Sequence, residues 1–167
     1  NALALDVMVE LTETFREVGA SDALGVVLAA NGPVFSAGHN FGDMAGASLG
    51  EIRTLFRICT EMMDTIQSIP QPVVAKVHAL ATAAGCQLVA SCDLAYAADT
   101  ASFCTPGVNI GLFCSTPMVA LSRNVMPKHA MEMLLTGDVI GAHQAQAIGL
   151  INQAVPANEL GEVVASV

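Results

Sequence analysis

Basic residues are scarce in this 167-residue chain: Arg16, Arg53, Arg57, Lys76, Arg123 and Lys128 stand against fifteen acidic residues, for a net charge of −9. They form no run. Nucleic-acid binding needs cations clustered on one face, and a polybasic membrane anchor needs them in sequence, so neither class has support. An anionic ligand stays open, because backbone amides and a few placed cations hold phosphates locally. Charge of either sign is sparse, 13% against 53% hydrophobic, yet much of the apolar content is alanine and glycine, which points to close backbone packing. The longest nearly uncharged run, Ala79 to Cys92, contains Thr82, Gln87 and Ser91 and stops at Asp93. It is too short and polar to cross a bilayer and reads as a buried element. No C-x-x-C pair occurs among Cys59, Cys86, Cys92, Cys104 and Cys114, and the four histidines are scattered. The thiols therefore read as reduced core residues of an intracellular protein, with no metal expected.

Apolar residues recur at helical spacing over Ala4, Met8, Leu11, Phe15 and Val18, with Gly19 placed to stop the helix. Leu24 to Ala29 reads as a buried strand, and Asn31 to Gly46 as a long loop. A second amphipathic helix carries Ile52, Leu55, Phe56, Cys59, Met62, Met63, Ile66 and Ile69 and ends at Pro70 and Pro72. Val73 to Val77 reads as a strand, Ala83 to Ala90 as a small-residue helix, and Leu94 to Ala97 and Ser102 to Thr105 as strands. Helices are expected near Thr116 to Val125, Lys128 to Leu135 and Ala142 to Ile148. A strand over Leu150 to Val155 and a last helix after Pro156 follow. Strands alternating with helices argue for an α/β fold with largely parallel pairing in one domain, residues 1–167. No signal or transit peptide is visible at the start.

Three segments join a strand end to small residues or to a helix start. Phe35-Ser36-Ala37-Gly38-His39-Asn40 would let backbone amides approach a ligand, although the pattern also fits an ordinary turn. Val73 to Leu88 turns from a strand into a helix that opens on Ala83, Ala84 and Gly85. Free amides at such a helix start suit an oxyanion, and small residues there also suit tight helix–sheet packing. Phe103 to Pro117 is stiffened by Pro106 and Pro117 and shaped by Gly107 and Gly111, as loops that line sites often are.

In this order and spacing the three segments resemble the crotonase superfamily, the enoyl-CoA hydratases and isomerases. Phe35 to Phe41 (FSAGHNF) is similar to its F-x-A-G-A-D-[IL] loop. Pro72 to Asp93 resembles P-V-I-A-A-V-N-G-x-A-x-G-G-G-x-x-L-x-x-x-C-D. Thr105 to Leu112 looks like P-E-x-x-[IL]-G, and Met131 to Gly149 like L-x-T-G-x-x-[IF]-x-A-x-x-A-x-x-x-G. Ala81 to Asp93 and Thr105 to Pro117 look most like the enoyl-CoA hydratase domain-containing protein 3 group, whose animal members are mitochondrial. The resemblance implies a spiral of ββα units, assembled as trimers or pairs of trimers. It also implies a chain incomplete at both ends, with a helical C-terminal region expected after Val167. A bacterial cytoplasm, or the mitochondrial matrix in a eukaryote, is the expected compartment.

The resemblance assigns an oxyanion hole to the backbone N–H groups of His39 and Ala84, two donors aimed at a thioester oxygen. Ala37, His39, Asn40 and Phe41 fall where the family holds the adenine end of CoA, with the His39 side chain read as facing solvent. The ligand implied is an acyl-CoA, with no cofactor beyond the coenzyme A that it carries. Two departures bear on function. The family's catalytic glutamates are replaced by Gln87, which cannot take a proton from water, and by Gly107, which has no side chain. Each such group contributes about 10²–10⁴-fold, so ordinary hydration should be impaired. Asp99 and Glu132 do not match the catalytic positions and read as surface charges. The expectations are an acyl-CoA enzyme of altered chemistry using Asn109, Ser115 or a residue beyond Val167, or a non-catalytic acyl-CoA binder or assembly subunit. A Clp-type serine peptidase, which shares the spiral, is set aside because no serine stands at Ala84 to Cys86. Gln87→Glu with Gly107→Glu is expected to raise crotonyl-CoA hydration, the hazard being a positive φ at Gly107.

Overall fold

The computed structural model describes residues 1–167 throughout. The chain opens with β1 (Ala2–Leu3), α1 (Leu5–Gly19), β2 (Val26–Ala29), β3 (Gly38–His39), a 3-10 turn (Phe41–Asp43) and α2 (Leu49–Ser68). It continues through β4 (Val73–Val77), β5 (Ala81–Thr82), α3 (Ala84–Ser91), β6 (Leu94–Ala98), β7 (Ser102–Cys104) and a second 3-10 turn (Pro106–Ile110). The last part holds α4 (Ser115–Asn124), α5 (Pro127–Thr136), β8 (Ile140–Gly141), α6 (Ala142–Ala147), β9 (Gln153–Val155) and α7 (Leu160–Ala165).

A long strand, a short strand and a helix recur as β2-β3-α2, β4-β5-α3 and β6-β7-α4. The long strands join β9 in a four-stranded parallel sheet ordered β2-β4-β6-β9. The short ones fall into two small sheets: β3 pairs with β1, while β5 pairs with β7, which runs antiparallel to β8. This is the expected α/β spiral of ββα units. The Ser36–Ala81 bridge and the pairing of β5 with β7 bring the turns after the short strands together.

Local chemistry explains the well-read elements. Ser48 and Glu51 form a reciprocal capping box that starts α2, and Pro70 follows its end. The apolar stripe of α2 buries Leu55, Cys59, Met62, Met63 and Ile66. β4 is buried along almost its whole length, as a central parallel strand should be. The Asp93 carboxylate accepts the Val73 N–H at 2.7 Å and ties the start of β4 to the start of β6.

Some boundaries differ from expectation. β2 is an edge strand, not a buried one: Val27 is 53% exposed, and Leu24 lies outside it at 94% exposed. Gly19 is the last residue of α1, and the cap falls on Ala20 in a right-handed conformation. β9 starts only at Gln153, because the Leu150 and Ile151 amides turn back to the Ala145 carbonyl. One cluster of 40 buried residues forms the core, and α3 is buried over all eight of its residues.

Candidate active site

The isolated bridge between Ser36 and Ala81 brings the first loop against the start of the second motif. The Phe35 and Ser36 amides donate to the Leu80 carbonyl, and the Thr82 N–H donates to the Ser36 carbonyl at 3.0 Å. Gly38 then bends the chain at φ +79 and packs flat on the turn before α3. A Cβ there would lie 2.9 Å from the Thr82 carbonyl oxygen and 3.1 Å from the Ala84 nitrogen. Only glycine permits both that φ and that approach. The Gly38–His39 backbone and the Ala84 amide are therefore neighbours.

Ala83 sharpens the turn. It has φ 52 and ψ −119, and no other non-glycine residue has a positive φ. Strain of this kind costs on the order of 1–3 kcal/mol and tends to concentrate at sites. The first α3 amide with an intrahelical acceptor is that of Gln87, which donates to the Ala83 carbonyl at 3.1 Å. The amides of Ala84, Gly85 and Cys86 precede it and have no such acceptor.

These elements form the floor of a cavity of about 370 Å³. Ala37, His39 and Phe41 come from the first loop, Phe56 from α2, and Ala83 and Ala84 from the α3 turn. The third motif closes the other side from Pro106 to Pro117, with Gly107, Asn109 and Ser115 in the wall. The wall holds no lysine, arginine, aspartate or glutamate. Five of the seven expected site residues, Ala37, His39, Phe41, Ala84 and Gly107, thus meet at one cavity.

The other two do not line it. Asn40 uses its side chain locally: Oδ1 accepts the Gly42 N–H at 3.0 Å, and Nδ2 donates to Asp43 at 3.3 Å. Gln87 sits one turn into α3 and lines a separate cleft of about 100 Å³ with Thr60, Asp64, Ser91 and Arg123. Its Oε1 is buried without a hydrogen-bond partner. Asp99 and Glu132 are exposed, in keeping with surface charges.

Two expectations about side chains are overturned. The His39 ring does not face solvent. It is half-buried, packs edge-on with Phe56 at a centroid distance of 5.3 Å, and has its Nε2 buried without a partner. Burial pushes its pKa below the ordinary 6.5. At Gly107 the hazard is not a positive φ but space. A Cβ would sit 2.2 Å from the Leu112 carbonyl oxygen and 2.8 Å from Cys114 Sγ. The loop folds back on itself here, with the Leu112 N–H donating to the Gly107 carbonyl at 2.9 Å. Burial also pushes the Cys114 thiol up, partly offset by the Gly107 N–H. Phe56 and Cys114 had no distinct signal in the sequence, where both look like core residues.

Comparison with known proteins agrees with this fold. The family model for enoyl-CoA hydratase/isomerase matches residues 1–167. Rat enoyl-CoA hydratase domain-containing protein 3, mitochondrial, is 49% identical over 164 residues, covering 97% of this chain and 55% of that protein. The solved structure of the human protein of that name superposes with a TM-score of 0.96 at 45% identity, covering 99% of this chain and 66% of that one. An enoyl-CoA hydratase structure from Mycobacterium smegmatis matches with a TM-score of 0.96 at 46% identity, over 99% and 65%. The chain spans about half the length of the curated relatives it matches. With the ββα spiral, the ordered motifs and the full-length family match in agreement, the chain belongs to the enoyl-CoA hydratase/isomerase family.

Proposed function

We propose that the protein binds an acyl-CoA thioester and polarises its carbonyl between the backbone N–H groups of His39 and Ala84, without the carboxylates that ordinary enoyl-CoA hydration uses. The observation that carries this reading is Gly38 lying on the Ala84 nitrogen, so that two backbone segments meet at the cavity floor. Donors fixed in a water-poor site stabilise the enolate-like charge of a thioester without reorganising. Cavity loops rich in apolar residues, including Phe41, Ile110, Leu112 and Phe113, suit an acyl chain. The adenine end would lie along Ala37, His39, Asn40 and Phe41, and coenzyme A arrives as part of the substrate.

Calorimetry on the intact protein with acyl-CoAs of several chain lengths tests the reading. Binding is expected, together with crotonyl-CoA hydration lower by a factor of about 10² or more than an enzyme with both carboxylates achieves. Failure to bind any acyl-CoA would remove the site, and hydration at ordinary enzyme rates would remove the claim about the glutamates. A second reading, a non-catalytic binder or assembly subunit, draws its support from the wall that holds no carboxylate. For assembly we propose a homotrimer or a hexamer. For compartment we propose the mitochondrial matrix in a eukaryote, since its animal relatives are named mitochondrial, and the cytoplasm in a bacterium.

A further inference from the structure

A cavity that polarises a thioester but holds no carboxylate needs another group if protons are to move. Among the lining residues only His39 and Cys114 carry side chains that titrate within reach of neutral pH. Burial raises the Cys114 thiol, so it keeps its proton and is a poor base. The His39 ring is different. Its plane is fixed against Phe56, its Nε2 is buried without a partner, and its Nδ1 is neither bonded to another group nor buried. With the proton on Nε2, Nδ1 offers a lone pair.

Resting on the acyl-CoA reading above, we infer that His39 is the proton-transfer residue of this cavity, serving α-proton exchange and double-bond migration in acyl-CoA rather than hydration. The residue that offers its backbone N–H to the thioester oxygen also carries the imidazole, and the α-carbon is two bonds from that oxygen. The ring takes a proton from the α-carbon, and the C–H electron pair moves toward the carbonyl to give an enolate held by the His39 and Ala84 amides. The imidazolium then returns a proton to the α-carbon, or to the γ-carbon when the acyl chain began with a β,γ double bond. The net change is exchange in the first case and isomerisation in the second, with no water added and no co-reactant.

Few charges surround the ring. β1 has none, α3 brings only the Cys86 thiol, and the third motif brings only the thiols of Cys104 and Cys114. Next to Phe56, α2 carries Arg53 and Arg57, both exposed, and Arg57 is paired with Glu61 at 3.3 Å. Asp43, in the turn after His39, is engaged by the Leu5 N–H at 3.0 Å and by Asn40.

The test uses the intact natural protein in D2O with trans-3-hexenoyl-CoA, reading deuterium at the α-carbon and the absorbance of the conjugated product. Both His39→Gln and His39→Ala keep the backbone amide. Each is expected to lose about 100-fold in exchange while acyl-CoA affinity changes only a few-fold, and added imidazole should restore part of the His39→Ala rate. For the natural protein, the rate should rise as pH passes through one ionisation below 6.5 and stay level above it. Exchange kept to within about threefold in both variants would overturn the inference. So would a natural rate that climbs only in the thiol range, a result that stands even if the variants fail to fold. Acyl-CoA binding without exchange would overturn this inference alone, whereas no binding at all would overturn the reading beneath it.

Discussion

Gly107 and Gln87 show that the two missing glutamates are lost in different ways. At Gly107 the space itself is gone, because the Leu112 carbonyl oxygen lies 2.2 Å from where a Cβ would be. Gly107→Ala should therefore lower stability by about 1–3 kcal/mol, read as a shift in the denaturation midpoint, and Gly107→Glu should do worse. An unchanged midpoint for the alanine variant would mean that the loop yields freely. Restoring both glutamates is thus not a route to hydration unless the third motif refolds. Gln87 has room, but its Oε1 has no partner. Gln87→Met should cost less than about 1 kcal/mol or even stabilise, since it removes an unsatisfied buried acceptor. At His39 the sign follows from burial. The folded ring has a pKa below 6.5, so below pH 6.5 the unfolded chain binds more protons than the folded one. Stability contributed above pH 6.5 is lost as pH falls toward the folded pKa. Urea melts between pH 7 and 5 should show a steeper decline for the natural protein than for His39→Gln.

Among elements, the turn into α3 concentrates the unusual geometry. The family pattern carries glycine at the place of Ala83, and glycine adopts φ 52, ψ −119 without a Cβ in the way. Ala83→Gly should raise the melting midpoint by relieving strain of about 1–3 kcal/mol, less roughly 0.4–1 kcal/mol of added freedom in the unfolded chain. A midpoint that falls would argue that Ala83 is not strained. The sequence made the long elements legible because each carries its own signal: the stripe of α2, the prolines at its end, the β-branched run of β4. The two-residue strands β1, β3, β5 and β8 carry no such signal, since two residues have no periodicity to read. Their pairings nonetheless align β1 with the first motif and the second motif with the third. The order of the motifs pointed to loops that meet at one cavity, and Gly107 and Ala84 both line it. The packing of the His39 ring on Phe56 and the collapse of the third motif onto Gly107 depend on contacts between segments far apart in sequence. No local pattern encodes them.

At the scale of the whole molecule, apolar surface and burial point in one direction. Val27 on the sheet edge is 53% exposed, and Ile110 at the cavity rim is 67% exposed. Surfaces of this kind are commonly covered by a partner copy or by further chain. Light scattering on the intact protein at micromolar concentration should return a multiple of the monomer mass, and a monomer alone would count against a trimer. Burial of α3 has a further consequence. The helix whose first residue lines the cavity is sealed into the core along its whole length, so its start cannot open by local fraying. A ligand held there draws on the free energy of the entire fold. Saturating acyl-CoA should slow hydrogen exchange at the most protected amides of α3 and β4, far beyond the atoms it touches, by the factor 1 + [L]/Kd.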